Sequence, residues 1–150
     1  MMFSLVYKSV ATLLLNSDEL KTIHHEASIA NKKKDITGCL LHHNGNFVQL
    51  LEGSKEDVLN LYEKIKQDSR HKNVVLMSSE NSSFRMFKDW NMIFHNIDYE
   101  SEETTFEKMK FFEKLYNSSD TNLIPNLPKI ALWREAFKIF NPSLDEKQFH

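Results

Sequence analysis

The chain has 150 residues, a hydrophobic content of 41% and a formal net charge of -2 with both signs interspersed. That length holds one domain, or one small domain with an appendage, and that charge gives no bulk reason to expect nucleic acid or an anionic membrane as partner. No apolar run is long enough to span a bilayer. Ser4, Tyr7 and Lys8 interrupt anything resembling a signal peptide, and the single cysteine, Cys39, makes no internal disulfide, so a reducing, cytoplasmic setting is expected.

Phe3 to Ser9 reads as a first strand, with Phe3, Leu5 and Tyr7 alternating onto one face. Tyr7 is then an inward phenol that needs a hydrogen-bond partner. Ser17 reads as an N-cap, with Asp18 and Glu19 at the positive end of a helix. A broken 3.6-residue stripe (Leu20, Ile23, His24, Ala27, Ile29-Ala30) carries that helix to about Asn31, and Lys32-Lys33-Lys34 suits its negative end. Asn31 is a C-cap on the local pattern. Ile36 to His43 is a second strand, and Asn44-Gly45 a two-residue hairpin turn.

The turn leads into Phe47-Val48-Gln49-Leu50-Leu51-Glu52-Gly53. Val, Leu and Phe suit a pleated, buried surface. Gln49 does not: an amide left unpaired there costs about 1–3 kcal/mol. It either faces solvent, is satisfied by backbone, or serves a site. Apolar residues occupy both faces of these two strands, so a cover is expected on each. Ser54 to Asp57 opens a second helix, with Val58, Leu61, Tyr62 and Ile65 as its buried stripe, ended by Asp68-Ser69-Arg70-His71. Asn73 to Met77 is a fourth strand. Phe87 to Ile97 holds a short turn and a fifth strand, with Trp90 and Met92 on one face.

The order βαββαββ begins with a ferredoxin-like βαββαβ plan: an α+β fold with two helices on one sheet face. The other face is left for the tail. Its stripes (Phe106, Met109, Phe112, Tyr116; then Ile130, Trp133, Phe137, Phe140) predict helices near 102–117 and 128–141, joined by a Pro-containing loop. The division expected is a domain over 1–97 and a helical extension over 98–150 packed on the sheet.

Taken together these residues resemble the BLUF domains, flavin-binding blue-light sensors, over about residues 3–97. The likeness rests on Leu5-Val6-Tyr7-Lys8-Ser9, Asn31 seven residues before Gly38 of Ile36-Thr37-Gly38, Asn46 to Gly53, Asp68 to His71, and Arg85-Met86-Phe87 leading to Trp90-Asn91-Met92. Each is weak alone; their joint order and spacing are specific. The resemblance implies a non-covalent flavin, usually FAD, with FMN or riboflavin as alternatives, held between the two helices. It implies Tyr7 and Gln49 as the photoactive pair, Asn31 on the C4=O/N3–H edge, Asp68, Arg70 and His71 toward the ring edge or the rest of the flavin, and Ser9, Trp90 and Met92 in the surrounding signalling shell. Gln carries a donor and an acceptor on one rotatable group, so it can bridge phenol and flavin and then rotate or tautomerise. No thiol adduct is required of Cys39. Two departures stand out: Ala30 occupies a place where His, Asn or Arg often lies beside the ring, and Asp35 one where Gly is common.

Competing readings fit less well. An RRM-like nucleic-acid module shares the strand order but needs exposed aromatics on basic strands. An acylphosphatase-type hydrolase needs an Arg loop after the first strand, where Lys8-Ser9-Val10-Ala11 stands. His24-His25 and His42-His43 point apart, so no metal is expected. A non-photoactive flavin redox protein lacks a visible dinucleotide motif or substrate base. The stretch after 97 is short against the roughly 100–150 residues of a typical domain. The reading is therefore a sensor with no catalytic residues of its own, acting on a downstream signalling protein or through its own oligomeric state, a dimer or higher.

Overall fold

The computed structural model describes residues 2–12, 16–87, 92–97 and 102–117. In chain order they form β1 (Met2–Ala11), α1 (Ser17–Lys33), β2 (Thr37–His43), β3 (Asn46–Gly53), α2 (Lys55–Gln67), β4 (His71–Ser82), β5 (Ile93–Asn96) and α3 (Glu102–Asn117). The sheet order is β4-β1-β3-β2-β5. Its pairs are antiparallel, save that β5 runs parallel to β2. This is the expected ferredoxin-like α+β plan, widened by β5 at the β2 edge.

Both sheet faces are buried, for the reason visible in the strands. Phe3, Leu5, Tyr7 and Leu51 pack with Leu20 of α1 and with Val58 and Tyr62 of α2. Val6, Leu41, Val48 and Leu50 point the other way and pack with Phe111, Phe112 and Leu115 of α3. A free helix of α3's length is marginal in water. Those three side chains, at most 4% exposed, contribute about 1.5–3 kcal/mol each on burial and hold it to the sheet. The hairpin forms as its sequence requires: Asn44 and Gly45 both take positive φ, 51° and 80°, the turn that matches strand twist.

Several boundaries differ from the sequence expectation. The N-cap of α1 is Asn16, whose side chain accepts from the Glu19 amide at 2.8 Å, and Ser17 is the first helical residue. The helix continues to Lys33 with Lys34 as its cap, so Asn31 lies within the last turn and not at the cap. β4 runs over 71–82 and not 73–77, because it pairs with β1 from end to end; its polar half, Ser78 to Ser82, carried no strand signal. β5 is shorter than the 87–97 stretch. Met86 and Phe87 stop short of it in a turn held by buried Glu52, whose carboxylate accepts from their amides at 2.6 and 2.8 Å. Burial raises the Glu52 carboxyl, while those amides and Arg85 pull it back down. No helix among the described residues is long and apolar enough to cross a membrane. The Pro-containing loop and the helix expected near 128–141 lie outside the described residues.

Candidate functional site

A cavity of about 270 Å³ opens between α1 and α2 over the sheet, just below the usual ligand-pocket range of roughly 300–1,000 Å³. Tyr7, Leu40, Phe47 and Gln49 line it from the strands, and Ile23, Leu61 and Ile65 from the helices. Small side chains, Ala27 and Ala30, leave room on the α1 side.

Antiparallel pairing of β1 with β3 sets Tyr7 directly opposite Gln49. The Tyr7 hydroxyl donates to Gln49 Oε1. Both are buried, and burial, with Tyr62 and Asp68 adding, pushes the phenol above its ordinary value, so its proton stays on oxygen. With Oε1 committed to Tyr7, the Gln49 amide nitrogen points away and donates to Met92 Sδ at 3.3 Å. Thioether sulfur is a weak acceptor, so the amide is held firmly at one end and loosely at the other.

Asn31 is 3% exposed and lines the cavity. Its main-chain oxygen accepts from Lys34 and Ile36. No hydrogen bond from its side-chain amide is formed among the described residues, which leaves the amide available to a ligand in the cavity. At the mouth, Arg70 grips Asp68 (Nη2 to Oδ2 2.6 Å) and reaches Glu26 on α1 at 3.4 Å. The Arg70 hydrogen bond holds the Asp68 carboxyl below the usual carboxylate range. His71 bonds the Ile65 carbonyl through Nε2, and its Nδ1 lies 3.0 Å from the Ser9 hydroxyl. A carbonyl only accepts, so Nε2 carries the proton and Nδ1 accepts from Ser9. Ser9 is thus brought to His71.

Tyr7, Asn31, Gln49, Asp68, Arg70 and His71 therefore share one cavity, with Met92 against Gln49 and Ser9 behind His71. Trp90 lies outside the described residues. Sequence reasoning missed Glu26 and Lys64, which also line the cavity. The signal for Glu26 was its place beside Ile23, Ala27 and Ala30 on one face of α1. Cys39 packs in the α3-side core with its thiol raised by burial, away from the cavity. His42 pairs with Asn96 and Phe47 while His43 meets Phe112, so the adjacent rings do point apart. Among the described residues no three His, Cys, Asp or Glu side chains gather as a metal site.

The cavity fits a flat, largely apolar ring with one polar edge: aliphatic walls, the available Asn31 amide, and the Tyr7–Gln49 pair. Asn31 and Gln49 would hold such a ring, with Arg70 and Asp68 at the mouth.

Comparisons with known proteins bear on the family and the fold. A family described as "Sensors of blue-light using FAD" (BLUF) matches residues 2–93. The chain is 40% identical over 90 residues to the photoactivated adenylate cyclase subunit beta of Euglena gracilis, covering 59% of this chain and 10% of the relative. It is 37% identical over 90 residues to the blue light- and temperature-regulated antirepressor BluF of Escherichia coli, covering 58% and 22%. Among solved structures, a bacterial light-regulated adenylyl cyclase matches with a TM-score of 0.73 and 32% identity, over 89% of this chain and 38% of that one. The chain thus spans only a small part of the curated relatives it matches.

Proposed function

This chain belongs to the BLUF family of sensors of blue light using FAD, and from that premise we propose that Tyr7 and Gln49 are its photoactive pair and that the switch acts on a protein partner or a second copy. The observation that carries the proposal is the Tyr7–Gln49–Met92 sequence of hydrogen bonds, which starts at the cavity. Flavin, when bound, supplies the absorption of blue light and an excited state that oxidises nearby donors. Tyr7 is the residue placed to give an electron and its hydroxyl proton. Gln49 accepts that proton's hydrogen bond, so loss of the Tyr7 donor frees its amide to rotate or tautomerise. Rotation withdraws Nε2 from Met92 Sδ, and Met92 stands where the chain enters β5. A second route out lies beside Tyr7: Lys8 donates to the Tyr116 carbonyl at 3.0 Å and sits 4.5 Å over its ring, which ties β1 to the end of α3.

The domain is the sensing part, and its output would lie in a partner protein, a second copy or a further domain. Dimerisation is the form of self-association we expect, checked by light scattering in darkness and light. The first test is an absorption spectrum of the purified protein before and after a blue flash. Flavin bands that shift slightly to the red and recover in darkness are expected. Tyr7→Phe and Gln49→Leu should keep the flavin and lose the shift; a normal light response in either variant would remove it from the photoactive pair.

A further inference from the structure

His24 projects from α1 toward the start of β5. Its Nε2 lies 2.8 Å from the Met92 carbonyl oxygen and 3.2 Å from the Ser28 hydroxyl. Its ring stacks on Phe94, centroids 5.3 Å apart and planes 29° from parallel. A carbonyl oxygen only accepts, so Nε2 must carry a proton. Ser28 cannot then donate to that nitrogen and shares the same N–H at best. His24 therefore grips the chain at two points, the main-chain oxygen of Met92 just before β5 and the aromatic face of Phe94 within it.

A half-buried helical histidine bonded to a neighbouring carbonyl is ordinarily packing alone. Here the carbonyl belongs to Met92, whose sulfur takes the loose end of the Gln49 amide. We infer that His24 is a positioning residue for the light switch: by holding the Met92 main chain it sets the sulfur against Gln49 and stabilises the dark arrangement. The inference rests on the reading of Tyr7 and Gln49 as the photoactive pair. His24 does not line the cavity; it acts only through Met92.

The test uses the full chain with flavin bound. His24→Leu keeps apolar bulk and removes the donor; His24→Gln keeps a side-chain N–H of similar reach. Both should bind flavin and shift on a blue flash. With the restoring contact gone, His24→Leu should return to darkness about fivefold more slowly, the equilibrium worth of one net hydrogen bond, while His24→Gln stays within about twofold of wild type. Wild-type recovery in His24→Leu, or equal slowing in both variants, would overturn the inference, the second outcome reducing His24 to packing. Nitrogen-15 spectra of the wild-type ring give a reading independent of either variant's folding. They should show the Nε2–H tautomer in darkness and a changed Nε2 resonance in light. An Nδ1–H tautomer, or a resonance indifferent to light, would also overturn it. A wild type with no flash-induced shift would instead sink the Tyr7–Gln49 reading, so the two failures are told apart.

Discussion

Gly38 sits on β2 beside the strand that carries Gln49, and it has no room for a side chain. A Cβ there would lie 1.9 Å from the Leu50 carbonyl oxygen, a main-chain atom one residue from Gln49. Either β2 or β3 must move to admit it. Gly38→Ala should therefore cost about 3 kcal/mol or more, near the upper part of the range for single substitutions. Urea denaturation measures it, and a loss below about 1 kcal/mol would contradict this packing. Asp35 is the converse case, where the sequence marked a departure and the structure gives its context. It holds φ 54°, a conformation in which glycine is free and most residues are strained. Arg85 binds both its carbonyl (2.8 Å) and its carboxylate (3.2 Å). Alternation put Tyr7 on an inward strand face and flagged Gln49 as an amide among apolar neighbours, but only the family resemblance joined the two, since the β1–β3 register that sets them opposite spans 42 residues. The Glu26–Arg70 link was not legible: its partners are 44 residues apart, and no local period joins them.

At the scale of elements, helices were easier to read than strand ends. A helix writes its buried face into its own sequence, as α2 does with Val58 and Tyr62, although α3 departs from its expected stripe: Phe106 is exposed, and Phe111, Phe112 and Leu115 are the side chains buried. A strand's extent depends on its neighbour, which is why β4 outran its apolar stretch. Partly buried His95 of β5, with the charge of Lys108 on α3 beside it, carries a pH dependence of its own. His95 on β5 is held down to about 4, first by burial and then by Lys108 of α3. In the unfolded chain it titrates near its ordinary 6.5. The folded-state value is depressed, so the contribution is intact above 6.5 and is lost as pH falls from there toward 4, where the unfolded chain binds a proton that the folded protein refuses. Allowing for partial solvent screening, the loss amounts to about 2 kcal/mol. Glu52, raised by burial, works in the opposite sense at the acidic end. The His95 contribution is therefore the difference between wild type and His95→Leu. Urea midpoints measured from pH 7 to pH 4.5 should fall more steeply for the wild type, and parallel profiles would refute the assignment.

For the whole molecule, the family match ends at residue 93, while the core does not. The sequence placed a boundary at 97, where the family likeness runs out, and a helical cover beyond it. Of that cover the described residues include α3, and its place is set by the sheet: Val6, Leu41, Val48 and Leu50 form a second buried face, 0–4% exposed, closed by Phe111, Phe112 and Leu115. Removing α3 would return those four strand residues to water at about 1.5–3 kcal/mol each. That sum rivals the roughly 5–15 kcal/mol by which a whole domain is stable. A chain cut after Ile97 should therefore not persist as a folded monomer. It should unfold, or bury the bare face against another copy. The flavin-side face would suffer with it, because Tyr7 and Val6 are consecutive residues of one strand and cannot lose their order separately. Light scattering and flavin absorbance on the 1–97 fragment decide the matter. A monomer that binds flavin and responds to light would show that sensing is complete in the family-matched segment. An aggregated or colourless fragment would show that the chain beyond 97, α3 included, belongs to the sensor's folding unit.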